Sequence, residues 1–335
     1  MTNLKAESNV DSGRRISSNV WLAAGVVTGS LVVVGILSLV RVIVDAGGPP
    51  DALPAPHYVE EASAAGVTHV YDGPFTFFVG GGVAVFDCNQ DRRPDLFFAG
   101  GVNPSSMYVN ASPTGGELAF EQVVSPSTDL TSVAGAYPLD IDGDGIVDLA
   151  VLRVGENVML RGLGNCQFER ANKAWGIDGG KEWTAAFSAQ WEGEALLPTL
   201  AFGNYVALTE SGERAGGCSD SMMMRPVGNS TYGPPITLSP GWCTLSVLFS
   251  DWDRSGRRDL RMTNDRHYYR DGEEQLWRVA TGEPPRPYTR EDGWQKMSIW
   301  GMGIASYDLT GDGLTEVFLT SQGDNKLQTL VDGPA

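Results

Sequence analysis

The chain has 335 residues, with 41 acidic side chains against 24 basic ones and a formal net charge of −17. A surface of that sign repels the phosphate backbone, so the composition excludes nucleic acid as a partner. Part of the negative charge lies in regularly spaced Asp-rich segments, and the rest solvates the surface.

The amino-terminal region predicts a membrane anchor. Residues 20–40 read VWLAAGVVTGSLVVVGILSLV, which is 21 residues without a charge. At about 1.5 Å per residue this run is long enough to span a bilayer once. We therefore predict a transmembrane helix over residues 20–44.

The flanking charges predict the orientation of that helix. Lys5, Arg14 and Arg15 precede it, and only Arg41 follows closely. The positive-inside tendency places residues 1–19 in the cytoplasm and the rest of the chain on the periplasmic or extracellular side. A cleaved signal peptide is the alternative, but the apolar run exceeds the roughly 7–15 residues of a signal core.

Small residues on the span predict a partner in the membrane. Gly25 and Gly29 form a GxxxG motif, a surface on which a second helix can approach closely. The partner would be a subunit of a membrane protein complex. Residues 45–56 follow as a Pro/Gly-rich linker, which would act as a partly stiff spacer.

The segment LDIDGDGIVDLAVL, residues 139–152, has the spacing of a cation-binding loop. Asp140, Asp142, Asp144 and Asp148 recur every second or fourth residue around two turning glycines. Calcium takes six to eight oxygen ligands and tolerates such a flexible cage. The loop is not an EF-hand, because the twelfth residue from Asp140 is Val151 rather than Glu, and its flanks predict strands.

The loop recurs along the chain. Comparable segments begin at residues 87, 251 and 308, and a decayed copy without the Asp pattern begins at Trp191, so the repeat is 51–60 residues long. Each copy reads as an apolar strand into the loop, a strand out of it, and two further strands such as SMYVNA and LAFEQVV. Four short strands per unit of this length predict an all-β fold, a β-propeller of four-stranded blades over residues 57–335.

The number of blades depends on how the ring closes. The last copy stops before a fourth strand, and HYVEEASAAGV near residue 57 resembles the fourth-strand segments. We predict that this amino-terminal strand completes the last blade and closes a ring of five, which leaves no exposed sheet edge. A seven-bladed parent is the alternative.

The quoted runs, together with GGGVAVFDCNQDRRPDLFFAGG and WGMGIASYDLTGDGLTEVFLT, resemble the FG-GAP or VCBS repeat family, and most of all its cartilage acidic protein-like, ASPIC/UnbV-associated branch. The resemblance implies a propeller whose loops bind calcium as a structural ion. In the second copy it adds the carbonyl of Ile146 to the four Asp ligands. The ligands that it implies in the other copies are Asp87, Asn89, Asp91 and Asp95; Asp251, Asp253, Ser255 and Asp259; and Asp308, Thr310, Asp312 and Glu316.

The sequence contains four cysteines, and two of them flank an insertion in the third repeat. Cys218 and Cys243 flank a segment that contains Met222–Met224, and we favour a disulfide between them as a staple across a flexible loop. For the methionines we favour a mobile or partner-contacting apolar patch. Four cysteines allow three connectivities, and the alternative is that some of them, among Cys88, Cys166, Cys218 and Cys243, stay as small buried apolar groups.

Catalysis finds little support in the sequence. Only His57, His69 and His267 are present, and there is no GxSxG, P-loop or dinucleotide fingerprint. We therefore predict a protein without enzymatic activity, a membrane-anchored module that binds other proteins. A free-standing adhesion or ligand-binding module is the second hypothesis, and a hydrolase that uses paired carboxylates is the third.

Overall fold

The structure is a computed structural model that describes residues 55–330. The predicted cytoplasmic tail, the transmembrane helix and most of the linker lie outside these residues. Between residues 55 and 330, no helix has both the length and the apolar character needed to cross a membrane. The strands of the described residues all lie in one compact unit, which begins at Glu60.

Five larger antiparallel sheets follow one another along the described chain. Sheet 1 contains β1 (Val83–Phe86), β2 (Asp95–Phe98), β3 (Ser106–Asn110) and β4 (Phe120–Val123). Sheet 2 contains β5 (Val133–Leu139), β6 (Asp148–Arg153), β7 (Val158–Gly162) and β8 (Phe168–Arg170). Sheet 3 contains β9 (Thr184–Gln190), β10 (Thr199–Asn204), β13 (Ser221–Met224) and β16 (Ile236–Leu238).

Sheet 4 contains β17 (Thr244–Ser250), β18 (Asp259–Asn264), β19 (Gln275–Arg278) and β20 (Arg286–Pro287). Sheet 5 contains β21 (Gly301–Tyr307), β22 (Glu316–Ser321) and β23 (Lys326–Gln328). Two small hairpins pair β11 (Val206–Leu208) with β12 (Arg214–Cys218) and β14 (Pro226–Val227) with β15 (Thr231–Tyr232). Short helical elements are α1 (Asn172–Trp175) and 3₁₀ turns at Phe75–Phe77, Arg266–Tyr268 and Arg290–Asp292.

The sheets are arranged in a propeller-like order. The first strands of successive sheets contact one another: β5 contacts β1 and β9, and β17 contacts β9 and β21. Apolar side chains fill the spaces between sheets 1 and 2, sheets 2 and 3, and sheets 3 and 4. The second strands β10 and β18 are buried along their whole length, since each lies in a sheet that is covered on both faces. The predicted all-β fold of four-stranded units is confirmed.

The predicted closure by an amino-terminal strand is wrong. Residues 57–67 contain no strand, and the turn around Ala65 instead packs against sheet 1, where the Ala65 carbonyl accepts a hydrogen bond from the Phe120 amide at 2.8 Å. Sheet 5 therefore has three strands within the described residues, and no extensive contact joins β21 to β1 there. Within this segment, the amides of Ala65, Gly66 and Val67 donate to carbonyls of the turn itself, so they are not available for pairing with sheet 5.

The prediction for the methionine segment is also wrong. Residues 221–224 form β13, the third strand of sheet 3, and the side chains of Met223 and Met224 are fully buried. These unbranched side chains fill the spaces between sheets, so they do not form a mobile or exposed apolar patch. The predicted disulfide between Cys218 and Cys243 is present, and a second disulfide joins Cys88 in sheet 1's first loop to Cys166 in sheet 2.

Buried polar side chains join sheets 2, 3 and 4. The Asn157 amide donates to the Thr184 hydroxyl at 2.9 Å, which links sheet 2 to sheet 3. The Ser221 hydroxyl donates to the Thr244 hydroxyl at 3.2 Å, which links sheet 3 to sheet 4, and Thr244 in turn donates to Asn264. Because these groups are buried, removing one side chain would leave its partner without a hydrogen bond and without access to water.

Candidate metal sites in the strand-connecting loops

The four Asp-rich loops lie at the same edge of their sheets. Each connects the first strand of a sheet to the second, and we number the loops after their sheets as loops 1, 2, 4 and 5. Loops of adjacent sheets touch: the Gln90 amide donates to the Gly145 carbonyl at 3.3 Å, and the Arg254 guanidinium donates to the carbonyls of Asp312 and Gly313. The Asp-rich loops therefore touch in two pairs, loop 1 with loop 2 and loop 4 with loop 5.

In loop 2, three of the predicted ligands converge. One oxygen from each of Asp140, Asp142 and Asp148 lies within 4.8 Å of the other two. The Asp140 carboxylate accepts from the amides of Gly143 and Gly145, both of which have positive φ. Glycine favours this left-handed backbone, so the two glycines let the loop turn tightly around Asp140.

Asp148 forms the buried base of loop 2. Its carboxylate is fully buried and accepts from the Ile141 amide at 2.7 Å and the Gly162 amide at 2.8 Å. Burial raises the pKa of Asp148 to about 6, because the two amide donors only partly offset the loss of water. A bound cation would supply the compensating charge.

The other two predicted ligands of loop 2 are placed differently. Asp144 forms an ion pair with Arg161 at 3.0 Å, and Arg161 also contacts Asp142 at 2.8 Å. Ile146 donates its amide to the Asp144 carboxylate. Asp144 is therefore not in the cluster that Asp140, Asp142 and Asp148 form.

Loop 1 follows the same backbone path with different side chains. Gln90 and Arg92 occupy the left-handed positions that glycines hold in loop 2, and the Asp87 carboxylate accepts from the Arg92 amide at 2.7 Å. Asp95 is the buried base and accepts from the amides of Cys88 and Asn110. Asp91 instead pairs with Arg93 at 2.6 Å, and Asn89 donates to Asp91.

In loop 4, an arginine side chain pairs with the carboxylates. Arg257 donates to Asp259 at 2.8 Å and contacts Asp253 at 3.5 Å. Burial alone would raise the pKa of Asp259, but the donors Arg257, Tyr288 and Trp252 hold it below its usual range. Ser255 accepts only from the Arg257 amide, and one oxygen of Asp251 is buried without a hydrogen-bond partner.

In loop 5, Asp308 accepts from the amides of Gly311 and Gly313, and the Asp312 carboxylate accepts from the Leu314 amide. Glu316 takes the position of the buried base and accepts from the Leu309 amide at 2.7 Å. Thr310 makes no side-chain hydrogen bond among those of the described residues. Within residues 55–330, loop 2 is the one Asp-rich loop in which three carboxylates come within 4.8 Å of each other.

The donor set of loop 2 fits calcium. Calcium–oxygen distances of about 2.3–2.6 Å place two ligand oxygens at most about 5 Å apart across the ion, and the observed separations fall inside that limit. In loop 4, the guanidinium of Arg257 contacts both Asp253 and the buried base Asp259, whereas Arg161 of sheet 2 pairs with Asp142 and Asp144 at the more exposed side of loop 2. The sequence carries the signal for this difference, since Arg257 stands two residues before Asp259, but an isolated Arg does not reveal where its side chain will lie.

The matched family model supports the repeat. Residues 87–151, which contain loops 1 and 2, match a model described as an FG-GAP-like repeat. This match covers under half of the chain. No curated protein matches the sequence. The chain thus carries an FG-GAP-like repeat within an all-β, propeller-like fold.

Three solved structures share partial similarity. An Agrocybe aegerita lectin, described as recognising non-reducing terminal N-acetylglucosamine, is 14% identical, with a TM-score of 0.43 over 75% of this chain and 66% of the lectin. BBS1N in its complex with ARL6DN is 9% identical, with a TM-score of 0.36 over 73% and 78% of the two chains. A chain of the Photorhabdus luminescens Tc holotoxin pore is 15% identical, with a TM-score of 0.27 over 74% of this chain and 12% of that one. These likenesses carry no weight in the functional assignment.

Proposed function

We propose that the protein is a membrane-anchored, calcium-stabilised β-propeller that binds other proteins as an accessory subunit of a membrane complex. The observation that carries the proposal is the convergence of Asp140, Asp142 and Asp148 inside the repeat. An ion at this point would fix the edge of sheet 2 and neutralise carboxylates that otherwise repel. A set of sheets packed against one another through apolar cores offers surfaces suited to docking other proteins.

Two further features support the proposed location. The apolar run of residues 20–40 is long enough for an anchor. Disulfides persist in oxidising compartments, and the described chain contains two. Both agree with a propeller on the periplasmic or extracellular side of the membrane, and the GxxxG of Gly25 and Gly29 supports a partner helix in the membrane.

The test is native-gel migration and mass spectrometry of the protein extracted from its own membranes in mild detergent with calcium present. We expect co-migration with a defined larger assembly. A Gly25→Leu variant should weaken that assembly, because the larger side chain blocks close helix approach, and Ala23→Leu serves as the control on the same helix. Migration of the wild-type protein alone would contradict the accessory-subunit role.

A second candidate function is a free-standing ligand-binding module. It is favoured by a cavity with aromatic walls between sheets 4 and 5, described below. A protein that migrates alone and binds a small molecule would support this candidate instead.

A further inference from the structure

A cavity of about 440 Å³ opens between sheets 4 and 5. Pockets that hold small ligands have volumes of roughly 300–1,000 Å³, with mostly apolar walls and a few placed polar groups. The walls here include the rings of Trp252, Tyr288 and Trp294 and the buried apolar side chains of Leu276 and Val317.

The polar ends of two of the rings are already engaged. The Trp252 indole N–H donates to Asp259 at 3.0 Å, and the Tyr288 hydroxyl donates to the same carboxylate at 2.7 Å. The two rings meet edge to face, with centroids 5.9 Å apart. Hydrogen bonds to Asp259 therefore hold both rings in place. Their polar atoms are occupied, so the two residues present only apolar ring surface to the cavity.

Arg261 supplies a buried positive charge to the cavity. Its residue is 7% exposed, and its guanidinium carbon lies 5.3 Å from the centre of the Trp294 ring. It donates to the Gln328 side chain, but its Nε has no hydrogen-bond partner, and no carboxylate of residues 55–330 forms an ion pair with it. Burial lowers the pKa of Arg261 to about 10, partly offset by Glu274, which is consistent with a poorly compensated charge.

Two neighbouring groups decide the charge of a suitable ligand. Asp292 also lines the cavity, but its carboxylate is engaged by both terminal nitrogens of Arg286 at 2.8 and 2.9 Å. Thr315 lines the cavity too, and its hydroxyl is buried without a partner. Two buried polar atoms of the lining thus lack a hydrogen-bond partner, the Arg261 Nε and the Thr315 hydroxyl, and the one unpaired charge beside them matches a monoanion.

We propose that this cavity binds a small organic carboxylate that carries an aromatic or other planar ring. The carboxylate would accept from Arg261 and Thr315, because a guanidinium presents donors in a planar fork that suits two carboxylate oxygens. The ring would lie against the aromatic walls. A phosphate dianion fits less well, since a single cation in a chain of net charge −17 would have to neutralise it. The inference goes beyond the protein-interaction role and does not depend on it.

The test is isothermal titration calorimetry of the full-length protein in detergent and calcium with three probes: phenylacetate, phenylacetamide and acetate. We expect saturable binding of phenylacetate, with the neutral amide and the ring-free acetate at least tenfold weaker. Equal binding of acid and amide, or no saturable binding of phenylacetate up to about 10 mM, would overturn the proposal.

Variants separate a ligand site from a structural role. Arg261→Met keeps an apolar stem and removes the buried charge, so we expect it to lose phenylacetate binding at least tenfold while melting no lower than wild type. Arg278→Gln, on β19 and outside the cavity lining, is the matched control and should bind normally. Unchanged binding in a folded Arg261→Met protein would refute the site, and Thr315→Val gives a second variant if the first does not fold.

Discussion

At the scale of single residues, carboxylates at equivalent positions of the repeat have different partners. Asp142 in loop 2 and Asp253 in loop 4 occupy the same repeat position, and each contacts an arginine, Arg161 at 2.8 Å and Arg257 at 3.5 Å. The loops differ at the buried base: Arg257 also pairs with Asp259, whereas Asp148 accepts from two backbone amides and lies in a cluster of three carboxylates. A guanidinium built into the loop can balance the carboxylates without an ion. The two loops therefore form a natural comparison for the calcium proposal.

Asp142→Asn should remove most of the stabilisation that calcium gives to the protein, because the variant loses a charged ligand. For the wild type, calcium at a hundredfold excess over its Kd is worth about 3 kcal/mol. The measurement is the melting temperature with calcium and after exhaustive chelation. Asp253→Asn is the control and should retain the calcium-dependent shift; an identical shift in wild type and Asp142→Asn would remove loop 2 as the site.

Glu274 predicts a pH dependence of stability. It is fully buried, accepts from the Asn264 amide at 3.2 Å, and burial raises its pKa to about 8 from an ordinary value near 4.5. The folded state therefore binds the proton more tightly than the unfolded state. Its contribution to stability is fully present below about pH 4.5 and is lost as the pH rises through about 8.

Glu274→Gln should flatten this fall, which for one proton is at most about 1.4 kcal/mol per pH unit. Urea unfolding at pH 5, 6.5 and 8 measures it. Glu283→Gln, at an exposed position, should keep the wild-type slope. A variant at position 274 that loses stability with pH as steeply as wild type would contradict the assignment.

At the scale of elements, the sheets are joined by apolar packing and by buried hydroxyls. Thr244 begins β17 and is fully buried, accepting from Ser221 of sheet 3 while donating to Asn264 at the end of β18. The Thr244 hydroxyl therefore forms hydrogen bonds with side chains of both sheet 3 and sheet 4. Side chains at this edge hold the sheets in register with one another.

Thr244→Val preserves shape but removes that hydroxyl, which leaves the Ser221 donor and the Asn264 acceptor each without this partner. The expected loss in the free energy of unfolding is about 1–3 kcal/mol, measured by urea denaturation. Thr237→Val places the same substitution at an exposed position of β16 and should change stability by less than about 0.5 kcal/mol. Equal effects at both positions would show that the shared hydroxyl contributes nothing special.

At the scale of the whole molecule, the proposed anchor at residues 20–44 would decide on which side of the membrane the sheets lie. The wild-type protein should stay in the membrane pellet through an alkaline carbonate wash, and mass spectrometry should find residues 1–46 still attached. Val33→Asp combined with Val34→Asp should release it, since a charge at the centre of a span costs about 2.5–3.5 kcal/mol. Ser17→Asp, ahead of the span, is the control; loss of residues 1–46 from the mature wild type would favour a signal peptide.

Much of the architecture was predictable because the repeat makes local pattern and global fold agree. The loop at residues 139–152, the third strand at Ser106–Asn110 and the pair Cys218–Cys243 were each predicted. The closing strand and the methionine segment were not, because both depend on which neighbour offers backbone partners or buried volume. Sheet 1 took the Ala65 turn, and sheet 3 took Met223 and Met224 into its core.

By itself, the sequence determined the all-β class, the repeat and the positions of the acidic loops, because alternation, turn residues and spacing are local properties. Only the tertiary structure decided which carboxylates converge, that Arg257 balances loop 4, and that Arg261 is buried beside Trp294 without an ion pair among the described residues. Those outcomes depend on burial and on contacts between residues distant in sequence, such as Arg261 on β18 and Gln328 on β23. Desolvation and long-range contact have no signature in a short stretch of sequence.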